Sequence, residues 1–250
     1  MDRLLKISFG LLLFLAGILF FPSCFGVVFK NPQPKGFVDL EQFPDSVCGR
    51  YATSNDSTFI GIENKKVIIT QYKLETVLEI PANEVKLAQL RSLTNSESAR
   101  SKKTYSSVEK GDTLFFSTTE INYLSVGKDF LLRVYNKIYF ANFPDTIHGD
   151  KKDYNAWAVC LLHFSEDGGL YLTAANLTRH ITHSTQTPPT DVSMPYMSEK
   201  DAAKYFSSIT PVKHLKGTGV YQLDPDVKQL QELMEEGFFN VVASYRKIKY

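Results

Sequence analysis

Few residues in this chain have types and spacings that could do chemistry. His180 and His183 form an H-x-x-H pair, the one close histidine spacing. Zinc needs three or more converging ligands. The nearest downstream carboxylates, Asp191 and Glu199, lie beyond Pro188 and Pro189 in a Pro-, Ser- and Thr-rich stretch. No metal is therefore expected, and His180 and His183 read as loop histidines. His148-Gly149-Asp150, with Asp145 and Asp153, clusters acids in the manner of a calcium site. The D-x-D-x-D-G series ending in Glu is missing, so a polar surface loop is expected. Glu166 and Asp167 would be paired carboxylates for glycoside chemistry, but they sit side by side in a turn, where Asp serves turn geometry. The sequence contains no GxSxG, HExxH, Walker or GxGxxG motif. No reaction and no cofactor are specified.

Cys24, Cys48 and Cys160 are the only cysteines, and no CxxC occurs. A bridge between Cys48 and Cys160 would contribute about 4–5 kcal/mol by loop closure. Cys160 also fits as a small hydrophobe in Val159-Cys160-Leu161-Leu162. Two unpaired thiols are expected, with the disulfide as the alternative.

Strand signals dominate the elements that must position these residues. The runs 58–62, 67–72, 76–80, 113–118, 121–125, 130–135 and 137–141 are rich in β-branched and aromatic residues. Glu166-Asp167-Gly168-Gly169 separates the runs 156–164 and 170–174, a hairpin signal read as a type I′ turn. Trp157, Val159 and Leu161 fall on one face of the first arm; Cys160, Leu162 and Phe164 fall on the other, as in a central strand. A short helix is expected over 83–93, an exposed loop over 94–107, a linker over 184–197 and a short helix from Ser198 to about residue 208. Asp224 as cap, Pro225 at the first turn and Gly237 at the end frame the strongest helix, with Val227, Leu230, Leu233 and Met234 on one face. A last strand follows over 240–248. This predicts an α+β fold: mainly antiparallel β-sheet, either a sandwich or a partly open barrel, with the C-terminal helix packed on it.

Two positive charges, Arg3 and Lys6, precede the apolar run 7–21. That is the layout of a secretory signal. As a helix the run reaches about 22 Å, short of a hydrocarbon core of about 30 Å. Phe21-Pro22-Ser23-Cys24 closes it. The segment resembles a bacterial lipoprotein signal, in which a small residue precedes a cysteine that is lipidated and becomes the new N-terminus. Ser23 and Cys24 match; Phe21 and Pro22 depart from the pattern. Lipidation of Cys24 is expected, with an uncleaved anchor helix or an ordinary cleaved signal as alternatives. The expected organisation is a signal or anchor over 1–23, a Pro- and Gly-rich tether over 24–36 and a single β-rich domain over 37–250.

Net charge is +1 for the whole chain. Residues 1–23 hold Asp2, Arg3 and Lys6, so 28 − 2 = 26 basic and 27 − 1 = 26 acidic residues remain. A neutral domain has no global field for nucleic acid. Arg100, Lys102 and Lys103, flanked by Glu97 and Glu109, read as a solvated loop.

Gly49-Arg50-Tyr51 resembles the Gly-x-aromatic step of lipocalin-like barrels, which implies a carrier of an apolar ligand. A wider combination joins this step to Asp-Ser or Asp-Thr at two strand openings, Asn142 and Trp157 on paired strands, and a closing helix Leu230-x-x-Leu233-Met234 followed by Gly237-Phe238-Phe239. It resembles uncharacterised β-rich lipoproteins of Bacteroidota-type bacteria. That resemblance covers most of the mature chain and implies an envelope address, with no activity attached. The expected function is a non-enzymatic, membrane-anchored envelope lipoprotein acting as a binding or scaffolding module outside the cytoplasm. A hydrolase with a dispersed active site and a lipocalin-like carrier are the alternatives.

Overall fold

The computed structural model describes residues 27–54, 57–79, 96–110, 113–175, 204, 206–216, 218 and 220–248. The expected helix 83–93, the linker 184–197 and the start of the helix at Ser198 lie outside them; residues 206–209 are helical. In chain order the strands are β1 (Val27–Phe29), β2 (Gly49–Ala52), β3 (Thr58–Glu63), β4 (Lys66–Glu79), β5 (Ser96–Glu97), β6 (Ser101–Lys110), β7 (Thr113–Ser125), β8 (Leu131–Tyr135), β9 (Ile138–His148), β10 (Asp153–Phe164), β11 (Gly169–Ala175), β12 (Val212–Leu215), β13 (Val220–Leu223) and β14 (Phe239–Lys247). The helix α1 (Val227–Glu235) precedes β14. The fold is mainly antiparallel β-sheet with a C-terminal helix, and the strand path is open rather than closed into a barrel.

The chain divides into two compact units, whose described residues fall within 27–38, 133–161 and 173–242 for the first and 39–132, 162–172 and 243–248 for the second. In the first unit β12 pairs with β13 antiparallel, β13 with β1 parallel, and β1 with β10. β9 pairs with both β8 and β10. Asn136 and Lys137, at φ 50° and 64°, turn the chain between β8 and β9. Type I′ geometry is therefore found here.

In the second unit the end of β14 pairs with β2, followed by β3, β4, β7, β6 and β5. Thr58, Ile60 and Ile62 alternate inward along β3, and Val67 and Ile69 continue that buried face on β4. The expected strands 67–72 and 76–80 are one strand, interrupted by a register shift between Leu74 and Thr76. The expected loop 94–107 is corrected: β5 and β6 occupy most of it. Backbone pairing of β6 along β7, from Ser101–Asn122 to Lys110–Thr113, holds a strand whose Ser, Thr and Lys content hides it. Arg100, just before β6, pairs with Asp129 at 2.9 Å, and Lys102 within it pairs with Glu97 at 3.8 Å.

The hairpin at 166–169 forms with different geometry from that expected. Gly168 N–H donates to Ser165 O at 3.0 Å, and only Gly168 has positive φ, +88°. This is a type I turn closed by a glycine bulge rather than type I′. Gly169 is needed for space: a Cβ there would lie 2.7 Å from Ser165 Oγ.

The helix cap is Asp226, not Asp224. Its carboxylate accepts from Gln229 N–H, and Gln229 Oε1 accepts from Asp226 N–H, both at 2.9 Å, a complete capping box. At the other end Gly237, φ +74°, donates to Met234 O, and Phe238 N–H donates to Leu233 O. That Schellman arrangement satisfies the last carbonyls. Leu230 and Leu233 are fully buried in the first unit's core with Phe29, Phe140 and Leu161. Replacing Leu230 by Ala should cost about 2–5 kcal/mol. Lys228, solvent-facing and paired with Glu232 one turn on, should cost less than about 0.5 kcal/mol as Ala. Denaturant melts of the purified protein check this; equal midpoints for the two variants contradict the packing.

Candidate functional site where the chain enters the first unit

The segment 27–36, expected as part of a tether, is built into the fold. Val27, Val28 and Phe29 are all buried, and burial of each such side chain contributes about 1.5–3 kcal/mol. Beyond β1, Lys30 N–H donates to Leu223 O at 2.8 Å. Gln33 is fully buried, and the side chain of buried Asn142 serves both of its backbone groups. Asn142 Oδ1 accepts from Gln33 N–H at 2.6 Å, and Asn142 Nδ2 donates to Gln33 O at 2.8 Å and to Phe140 O at 3.2 Å. One amide side chain thus replaces a strand partner. Arg133 donates to the carbonyls of Pro32 and Pro34 at 2.6 and 2.9 Å, satisfying two more backbone acceptors. The Gln33–Pro34 peptide is cis. Phe37 packs edge-on against Tyr135 with ring centroids 5.5 Å apart, and Tyr135 donates to Gln231 Oε1 at 3.0 Å.

Asp224 gathers the same segment by charge. Its carboxylate accepts from Lys35 at 3.0 Å, Asn31 at 2.8 Å and Lys30 at 3.2 Å, with its side chain only 20% exposed. Partial burial pushes the carboxyl pKa up. The hydrogen bonds from Lys35, Asn31 and Lys30 outweigh this, so the net shift is downward. The residue expected to cap a helix instead pins the start of the domain.

Cys24, His180 and His183 lie outside the described residues. Cys48 and Cys160 are free thiols. Burial, then Asp45, pushes the Cys48 thiol up, and desolvation pushes the half-buried Cys160 to about 12, so neither is an activated nucleophile. Tyr51 is pushed to about 12 by burial, and donates to Val47 O at 2.8 Å. His148 meets Asp153 at 3.0 Å in an exposed turn. Asp167 accepts from the Ser165 hydroxyl and from Gly169 N–H, which lower its pKa and tie it to the hairpin. Among the described residues no three His, Cys, Asp or Glu side chains converge as a metal site. No helix among them is long and apolar enough to cross a membrane.

Compared with protein families, curated proteins and solved structures, the chain matches none. Gln33 and Arg133 went unread in the sequence, Asn142 was read without its role here, and Asp224 was read as a helix cap. The available signal was Asn142, a lone amide inside the apolar run Phe140-Ala141-Asn142-Phe143, because a buried amide requires partners. Asp224→Asn should cost roughly 1 kcal/mol at neutral pH, discounted because both lysines are largely solvated. The folded-state pKa of Asp224 is depressed, so its contribution is fully present above the unfolded value of about 3.9 and is lost as pH falls through the folded one. The gap between wild type and variant should therefore begin to close as pH falls below about 3.9 and vanish only below the depressed folded-state pKa; a gap independent of pH contradicts the charge account.

Proposed function

We propose that the chain is a non-enzymatic, lipid-anchored envelope module that binds or scaffolds a partner outside the cytoplasm. One observation carries the reading. Only three chain steps separate Cys24, which follows a signal-like apolar run, from the buried strand β1. Three extended residues reach about 11 Å at most. A lipid on Cys24 would hold the first unit close to its bilayer, contributing about 0.8 kcal/mol per buried CH₂. The raised thiols of Cys48 and Cys160, and the service of Glu166-Asp167 in a turn, favour this over a hydrolase. The open strand path favours it over a lipocalin-like barrel carrier. Metabolic labelling with a fatty-acid probe tests the anchor. Wild type should be labelled and Cys24→Ser should not; equal labelling of both sinks the reading.

A further inference from the structure

The start of β1 and the β12–β13 turn share one end of the first unit. Val27 lies opposite Tyr221, next to Val220, where β13 begins. Four exposed lysines collect at that end: Lys213 and Lys216 from β12 and the turn after it, Lys151 and Lys152 from the turn between β9 and β10. Gly149 makes their meeting sterically allowed. A Cβ there would lie 2.9 Å from Tyr154 Cε2, 3.0 Å from Lys152 O and 3.1 Å from Lys216 O. Any other residue would require the Tyr154 ring to shift and the two turns to give by a few tenths of an ångström. Lys152 and Lys213 both place their ammonium groups over the ring of Tyr154, at 5.1 and 5.9 Å. Two carboxylates stand nearby in the same turn: Asp150, and Asp153, which His148 engages. Among the described residues of these two turns and their flanks, four lysines therefore stand with two carboxylates, in a chain whose composition is nearly neutral.

We propose that this end of the first unit lies against an anionic bilayer surface, with Lys151, Lys152, Lys213 and Lys216 on the headgroup phosphates. The proposal rests on anchoring through Cys24. A three-residue connection of at most about 11 Å keeps the start of β1 between one and two Debye lengths from the surface, each about 8 Å at physiological salt. A lysine that reaches the headgroups strengthens attachment about fivefold. Tyr154, amphipathic and half-buried, suits the headgroup layer. Lys137 turns the chain at the other end of β9, whose 11 residues span about 36 Å, and faces away from the membrane.

Full-length protein is reconstituted into vesicles of phosphatidylcholine alone or of phosphatidylcholine and phosphatidylglycerol in equal parts. A water-soluble amine-acylating reagent is added, and modification of each lysine is measured by mass spectrometry relative to Lys137. The four lysines should be modified severalfold less in the anionic vesicles, and high salt should abolish the difference. Equal ratios in both compositions overturn the proposal, and do so without touching the anchor when fatty-acid labelling of the same protein succeeds. Protection of the four lysines in protein that takes up no fatty acid supports the surface while removing the lipid, leaving the apolar N-terminal run as the anchor.

Discussion

The first unit depends on one side chain reading the backbone of a distant residue. Asn142 satisfies both the N–H and the C=O of Gln33 in a site with no solvent access to either residue. Without it, two buried backbone groups would lose their partners, each at a cost of about 1–3 kcal/mol. β1 is too short to hold its place by pairing alone. With the Gln33 backbone fixed behind it, β1 stays against β13 and β10, and Phe29 fills the core beneath Leu230 and Leu233. Arg133 and Asp224 extend the same logic, one satisfying proline-flanked carbonyls and the other drawing in Lys30, Asn31 and Lys35. Every device acts on residues 30–35, directly after β1.

If Cys24 carries the proposed lipid, that placement bears on how the first unit stands at a membrane. A flexible tether lets a domain rotate and drift, and its surface charges then act only on average. A short connection into a pinned strand fixes which end faces the bilayer. Whole-domain charge balance hides such an arrangement, because Lys151, Lys152, Lys213 and Lys216 are offset in the count by acids placed elsewhere. The fold gathers what composition averages, and Gly149 is the residue that lets it do so.

Much of the sheet was legible in the sequence. The β-rich runs 58–62 and 67–72, the hairpin at Gly168, the final strand and the apolar stripe of α1 were read from composition, periodicity and turn chemistry, and the structure contains them. The misreadings share a cause. Residues 27–36 and β6 are held by hydrogen bonds to distant backbone or side chains rather than by an apolar pattern of their own, so Pro, Gly, Ser and Lys made them look like tether and loop. Asp224 was misassigned because Asp before Pro is also a helix-start signal; the true cap lies two residues on, and only the fold brings Lys30 and Lys35 to Asp224. Of the site, the Asn142–Gln33 pair was not legible, because its members are 109 residues apart and no local pattern announces them.

The central claim is that the segment after Cys24 is a fixed part of the domain, and hydrogen exchange on the full-length protein tests it most directly. The amides of Lys30 and Gln33, bonded to Leu223 O and Asn142 Oδ1, are predicted to exchange as slowly as those in the interior of β10. Exchange of residues 27–36 at the rate of an unprotected chain would contradict the account and restore the tether.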